Sequence, residues 1–131
     1  AFNLNIGGRL GVVKVSRLYL EEILQNFITN AIRYTQKGSI TLSIKKNKSG
    51  EITFKVIDTG IGISKADMAK IFDKFYRAED YRTRETKGTG LGLYVSAKLA
   101  KKLGCKIEVE SRLNHGSTFG FKLKEFKNND K

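Results

Sequence analysis

Apolar residues fall at helical spacing in two stretches of the sequence, residues 18–32 and 91–103. Both stretches are predicted to form amphipathic helices, each with one face turned to a core. Apolar and polar positions alternate over residues 40–45 and 52–57, with a turn between them, so these two stretches are predicted to pair as a β-hairpin. Strands and helices do not alternate regularly, and the pattern therefore predicts an α+β, two-layer sandwich instead of a doubly wound sheet.

Shorter patterns fill the remainder of the chain. One or two short strands are expected within residues 4–15, and two more near 105–111 and 117–124. Ser64 and Asp67 form a capping pair, which predicts a short helix beginning at that point. These elements complete a chain with strands at both ends and its helices between them.

Composition narrows the class of protein. A chain of 131 residues with 40% hydrophobic positions can bury one core and is too short for two ordinary domains, so a single domain over residues 1–131 is expected. Lys and Arg number 25 against 13 Asp and Glu, and the formal net charge of +12 favours partners that carry phosphate or acidic groups. Cys105 is the one cysteine, which excludes an internal disulfide and fits a reducing cytosol. No apolar run approaches the roughly 20 residues that cross a bilayer, so no membrane contact by this domain is expected.

Two asparagines form a polar stripe on the first predicted helix. Asn26 and Asn30 are four residues apart, about 40° from each other around a helix, and Arg33 falls in the same sector. The stripe lies beside the apolar face and is therefore predicted to line a crevice at the edge of the core. Amides in such a place need polar partners, and a hydrated Mg²⁺ held together with phosphates would be one. Two surface asparagines in a tolerant helix are the alternative.

Two glycine-containing motifs stand at the ends of other elements. Asp58-Thr59-Gly60-Ile61-Gly62 follows a predicted strand directly, where a carboxylate can accept from an exocyclic amine and glycines let a flat ligand approach. Gly-Thr-Gly-Leu-Gly-Leu, residues 88–93, opens a predicted helix, where backbone amides suit a phosphate chain. A simple turn and a close-packed helix start are the respective alternatives. The glycine spacing of the second motif does not fit the dinucleotide-binding pattern.

Taken in order, these features resemble the catalytic, ATP-binding domain of bacterial sensor histidine kinases, in the superfamily that also holds the DNA gyrase, Hsp90 and MutL ATPases. Residues 26–35 resemble the N box, 58–62 the G1 box, 72–77 the F box and 88–93 the G2 box, and residues 76–90 would be the ATP lid. The resemblance implies a Bergerat-type sandwich, in which three helices cover one face of a mixed sheet. Because the lid segment has almost no aliphatic side chain, it is expected to be mobile and to become ordered around a nucleotide.

The resemblance also implies roles for individual residues. Asn30 would ligate Mg²⁺, Asn26 would contact the phosphates as a catalytic residue, and Asp58 would accept from the adenine amine. Arg77 would contact the γ-phosphate as the second catalytic residue. The other implied ATP contacts are Arg33, Tyr34, Gly60, Gly62, Phe75, Lys87, Gly88, Thr89, Gly90, Leu91, Gly92 and Leu93.

The implied activity is that of a protein-histidine kinase. It would present the γ-phosphate of Mg-ATP to a histidine on a separate dimerisation domain absent from this chain, with a cognate response regulator as a further partner. The domain would be cytoplasmic. The resemblance also allows a parent protein that is anchored in the bacterial inner membrane. His115, the one histidine, lies in a predicted turn, so the isolated domain is expected to bind ATP without phosphorylating itself.

Two alternatives to this activity stay open at the level of sequence. A nucleotide sensor or serine kinase of the same superfamily would share every box, since the phosphate acceptor lies outside the chain. A basic nucleic-acid-binding module would explain the net charge. The chain has no recognised nucleic-acid motif and its lid contains acidic residues, so no nucleic-acid partner is expected.

Overall fold

Five strands and three helices are found in the computed structural model, which describes residues 2–7, 17–35, 37–73 and 92–124. In chain order the elements are β1 (Phe2–Gly7), α1 (Arg17–Tyr34), β2 (Ile40–Lys46), β3 (Glu51–Asp58), α2 (Lys65–Met68), α3 (Gly92–Leu103), β4 (Glu108–Arg112) and β5 (Gly116–Lys124). Within these described ranges, no helix is long and apolar enough to cross a membrane.

The strands form one mixed sheet in the order β1-β2-β3-β5-β4. β1 runs parallel to β2, and the other neighbouring pairs are antiparallel. The register sets Asp58, the last residue of β3, between Ile40 of β2 and Ser117 of β5. The predicted α+β sandwich with a mixed sheet is therefore confirmed, and Asp58 lies at the end of a central strand.

The core lies between one face of this sheet and the helices. Phe27 of α1 packs against two rings of β5, with centroid distances of 5.5 Å to Phe119 and 6.1 Å to Phe121. Alternate residues of a strand share a face, so the pattern that buries Val56 also brings Asp58 into the same buried layer. The buried apolar residues are Ile23, Phe27, Ala31, Ile40, Ile52, Phe54, Val56, Ile71, Ala100, Phe119, Phe121 and Leu123.

Most predicted elements are confirmed, with small differences at their ends. The helix predicted over residues 18–32 runs from Arg17 to Tyr34, and the predicted hairpin is β2 and β3. The Ser64 hydroxyl accepts from the Asp67 backbone N–H over 3.2 Å, as a capping residue does, although α2 ends at Met68. Residues 8–16 and 76–90, which contain part of the first predicted strand region and the expected lid, lie outside the described residues.

The strand predicted near residues 105–111 begins later, at Glu108. The reason is the way α3 ends. Gly104 has a φ of 79° and its N–H donates to Lys101, while the Cys105 N–H donates to Ala100, which together form a Schellman motif. Residues 105–107 connect this helix end to the sheet, so β4 begins only at Glu108 and is shorter than its apolar pattern suggests.

Candidate nucleotide-binding site

The polar stripe of α1 lies at the edge of the core, as its spacing predicts. Asn26, Asn30 and Arg33 are all half-buried, between the buried Phe27 side and the exposed Thr29 side of the helix. A fully exposed stripe would have supported the simpler interpretation of two surface asparagines. At this depth the three side chains border the core and still keep part of their surface accessible.

The middle of α1 is tied to the start of α3. The Asn26 side-chain nitrogen donates to the Gly92 carbonyl oxygen over 3.2 Å and to the Ser96 hydroxyl over 3.1 Å. Gly92 itself is exposed, and a Cβ built on it would have no atom of the described residues nearer than 3.9 Å. Packing against the described residues therefore does not explain a glycine at this position, whereas the close approach of a ligand to the backbone would.

The C-terminal end of α1 lies against the turn that follows β3. The Ile61 N–H donates to the Tyr34 carbonyl oxygen over 3.1 Å. A Cβ on Gly60 would collide with that same carbonyl oxygen and would stand 2.6 Å from the Thr35 hydroxyl oxygen. Gly60 is thus needed so that the helix end and the turn can touch, a packing reason that the sequence motif alone does not reveal.

Gly62 has a similar reason on the other side of the turn. Its φ is 71°, and a Cβ on it would collide with the Arg112 carbonyl oxygen at the β4–β5 turn. The Asn114 N–H donates to the Ile61 carbonyl oxygen over 2.6 Å, and Asn114 is the one non-glycine residue with positive φ in the described part of the chain. The segment after Asp58 is therefore held between α1 and the last hairpin.

Asp58 is a buried carboxylate, with 5% of its surface exposed. One carboxylate oxygen accepts from the Gly60 N–H over 2.9 Å. Burial is the largest influence on its pKa and raises it, while hydrogen bonds from the Gly60 and Ser117 backbones and the neighbouring Thr35 hydroxyl oppose that rise. The negative charge is thus only partly compensated by the protein, and a hydrogen-bond donor from a ligand would stabilise it.

Thr35 adds a second polar group at this end of the site. Its hydroxyl oxygen is buried beside Asp58, yet it lacks a hydrogen bond of good geometry to any described residue. A buried hydroxyl that makes no well-aligned hydrogen bond is uncommon in proteins. The pair offers an acceptor together with a group that can donate or accept, which fits the edge of a nucleobase. The sequence motifs included Thr35 in the N box without marking it as a site residue.

The structure locates only part of the predicted site. Arg33 and Tyr34 are half-buried at the end of α1, beside the turn that carries Gly60 and Gly62. Leu93 is half-buried and packs against the core, so its side chain has a structural role in α3. The other predicted ATP contacts lie outside the described residues, namely Phe75, Arg77, Lys87, Gly88, Thr89, Gly90 and Leu91.

Comparison with known proteins agrees with this arrangement. Residues 16–127 match the family described as histidine kinase-, DNA gyrase B-, and HSP90-like ATPase. The chain is 41% identical to the aerobic respiration control sensor protein ArcB of Escherichia coli K12 over 101 residues, which are 76% of this chain and 13% of ArcB. It is 39% identical to the sensor protein SrrB of Staphylococcus aureus NCTC 8325 over 105 residues, 79% of this chain and 18% of SrrB. The chain thus spans less than a fifth of either relative.

Solved structures give the same result for the fold. Full-length ShkA in complex with AMPPNP superimposes with a TM-score of 0.80 and 29% identity, covering 93% of this chain and 25% of ShkA. The nucleotide-free catalytic domain of the histidine kinase ThkA gives a TM-score of 0.77 and 28% identity, covering 95% of this chain and 78% of that domain. The chain belongs to the family of histidine kinase-, DNA gyrase B- and HSP90-like ATPases, and it is an ATP-binding catalytic domain of the sensor histidine kinase type.

Proposed function

We propose that this chain binds Mg-ATP along α1 and presents the γ-phosphate to a histidine of a separate helical domain. The supporting observation is that one helix, α1, contacts both the start of α3 and the turn that follows β3. Asn26 contacts the start of α3, and Tyr34, eight residues further on, contacts the turn after Asp58. At about 1.5 Å per residue these points are about 12 Å apart along the helix, which suits a ligand with a base at one end and phosphates at the other.

The base end of this proposed site discriminates by hydrogen bonding. Asp58 accepts from the exocyclic amine of adenine, and the Thr35 hydroxyl lies beside it to bond the base edge directly or through a water. Guanine carries a carbonyl where adenine has its amine, and that oxygen would face the Asp58 carboxylate. Gly60 and Gly62 let the turn beside Asp58 pack directly on α1 and on the β4–β5 turn, which fixes the backbone at this end.

The phosphate end combines amides, arginines and backbone groups. No three His, Cys, Asp or Glu side chains of the described residues are grouped so as to hold a metal, so an ion here depends on amide oxygens and on the phosphates themselves. Asn30 is the proposed Mg²⁺ ligand. When bound, Mg²⁺ neutralises phosphate charge during transfer. Arg33, together with Arg77, Lys87 and the glycines of residues 88–93, is proposed to hold the phosphates.

The acceptor of the phosphoryl group belongs to another part of the parent protein. His115 is exposed in the β4–β5 turn, and its backbone N–H donates to Arg112. The curated relatives are sensor proteins several times longer than this chain, which supports a histidine-bearing dimerisation domain and a response regulator as partners. A cytoplasmic location of the domain is part of the same proposal.

A labelling experiment tests this assignment. The isolated chain, incubated with γ-labelled ATP and magnesium, is expected to bind nucleotide and to stay unlabelled. Its one histidine, His115, is exposed in the β4–β5 turn and is not expected to reach the γ-phosphate. With the parent's dimerisation domain added, acid-labile label should appear on that domain, as expected of phosphohistidine. Acid-stable label would indicate a serine kinase instead. Stoichiometric acid-labile label on the isolated chain would contradict the proposal.

The N box is tested by replacing Asn30. Asn30→Ala removes the proposed amide ligand, so we expect it to reduce the gain in ATP affinity that magnesium gives, with little change in affinity when the metal is chelated. Gln25→Ala, on the exposed side of the same helix, is the matched control. Titration of each variant with ATP, with magnesium and with EDTA, measures the effect. An unchanged magnesium dependence in Asn30→Ala would refute the assignment.

A further inference from the structure

The side chain of Asn26 is held at the start of α3 by two groups of that helix. Its amide nitrogen donates to the Gly92 carbonyl oxygen and to the Ser96 hydroxyl oxygen, over 3.2 Å and 3.1 Å. The Ser96 hydroxyl donates in turn to the same Gly92 carbonyl over 2.8 Å. The three groups form a closed hydrogen-bonded triangle between α1 and α3.

The chemistry of this triangle fixes which end of the amide faces α3. A backbone carbonyl can only accept, so the Asn26 atom against Gly92 must be the nitrogen. Ser96 has a single hydroxyl proton and gives it to Gly92, so its oxygen accepts from Asn26. If the amide turned over, two carbonyl oxygens would face each other at Gly92, and the one Ser96 proton could bond only one of them. The Asn26 carbonyl oxygen, Oδ1, is therefore the end directed away from these two groups.

Oδ1 lies close to Gly92, the exposed first residue of α3. It is 4.0 Å from the point at which a Cβ would stand on Gly92, and Gly92 is exposed. Ser96, in contrast, has 0% of its surface exposed. A nucleotide can thus approach Asn26 and Gly92 but cannot touch the Ser96 hydroxyl, so Ser96 can influence the ligand only through its two partners.

We propose that Ser96 is a positioning residue, which locks the Asn26 amide with Oδ1 towards the phosphate end of the site. This inference rests on the proposed function, since it requires phosphates and an ion at the start of α3. An oxygen that only accepts suits a hydrated cation better than a phosphate oxygen. The contact between Asn26 and the phosphates is therefore mediated by the cation or its water.

The test is a double-mutant cycle on magnesium-dependent ATP affinity. We compare the wild-type chain, Ser96→Ala, Asn26→Ala and the double variant, each titrated with ATP in magnesium and in EDTA. Ser96→Ala is expected to reduce the gain from magnesium about three- to tenfold, as the loss of one hydrogen bond predicts. In the Asn26→Ala background the same change should have no further effect, because Ser96 acts through Asn26. Ser43→Ala, at a buried serine of β2, controls for the loss of a buried hydroxyl.

A second readout does not depend on nucleotide. The two side-chain N–H signals of Asn26 in ¹⁵N–¹H spectra should be protected from exchange in the wild type and less protected in Ser96→Ala. If Ser96→Ala keeps the full gain from magnesium while Asn26→Ala loses it, the inference is wrong and the proposed function stands. An additive double variant also refutes the inference. A full gain in Asn26→Ala refutes the inference as well, whereas the magnesium site of the proposed function is tested separately by Asn30→Ala.

Discussion

Asp58→Asn is expected to lower ATP affinity about 10- to 150-fold, the range that corresponds to one hydrogen bond to a charged group. The variant keeps the shape of the side chain but replaces the proposed acceptor of the adenine amine with a neutral amide. Preference for ATP over GTP should fall with it, because the amide can also donate to the guanine carbonyl. Competition of ATP and GTP for a fluorescent nucleotide analogue measures both quantities. Asp67→Asn, a half-buried carboxylate on α2, is the control, and unchanged base preference in Asp58→Asn would exclude the assignment.

The raised pKa of Asp58 gives this residue two opposite pH dependences. Between its ordinary pKa and the raised value, the folded chain binds a proton that the unfolded chain does not, so its contribution to stability is present at low pH and is lost as pH rises through the raised pKa. ATP binding should change the other way, because a protonated carboxyl accepts poorly from the adenine amine. Affinity should therefore fall as pH falls through the same pKa. Asp58→Asn should flatten both profiles, and a retained profile would assign the titration to another group.

Gly60→Ala should lower the free energy of unfolding by about 2 to 4 kcal/mol, in the range of overpacked and strained core substitutions. The added methyl would collide with the Tyr34 carbonyl oxygen and press on the Thr35 hydroxyl, so the helix end and the turn must separate. Separation would also break the bond from the Ile61 N–H to Tyr34. Denaturant unfolding of the nucleotide-free chain measures this effect without any assumption about ligands.

Gly50→Ala is the matched control for that measurement. Gly50 has a φ of 85°, and a Cβ on it would have nothing within 4 Å. Its replacement therefore costs only backbone strain, about 1 to 2 kcal/mol. If Gly60→Ala cost no more than Gly50→Ala, the contact between α1 and the turn would not be important for stability.

Local patterns predicted the elements of this fold well, because an element that buries one face has apolar residues at regular spacing along the sequence. The period in α1 even indicated that Asn26 and Asn30 border the core, and the half-buried stripe agrees. The strand predicted from residue 105 begins at Glu108 instead, three residues later. Apolar Ile107 fits a strand pattern even though it is not part of the pairing between β4 and β5. Pairing depends on how the preceding helix ends, which no local alternation encodes.

The site was predictable only where a motif carries its own chemistry. Asp58 was singled out because a carboxylate stands directly after a predicted strand, and it lies buried at the end of β3. The sequence did not indicate the hydrogen bond between Ser96 and Asn26, because the two residues are 70 positions apart and no periodic pattern marks a single serine inside a helix. Gly60 was assigned to the ligand, whereas its nearest constraint is the backbone of α1. The sequence shows that a glycine is present, but it does not show which distant backbone atom leaves no room for a side chain.

The double backbone attachment of Ile61 has an evolutionary consequence. Its N–H and carbonyl oxygen join α1 to the last hairpin, and neither bond involves the Ile61 side chain. Natural selection can therefore act weakly on the identity of this residue while it strictly retains Gly60 and Gly62, where the space for a side chain is missing. Among related sequences, positions 60 and 62 should therefore stay glycine while position 61 varies. The sequences can then diverge without a shift of the turn that forms the proposed base end of the site.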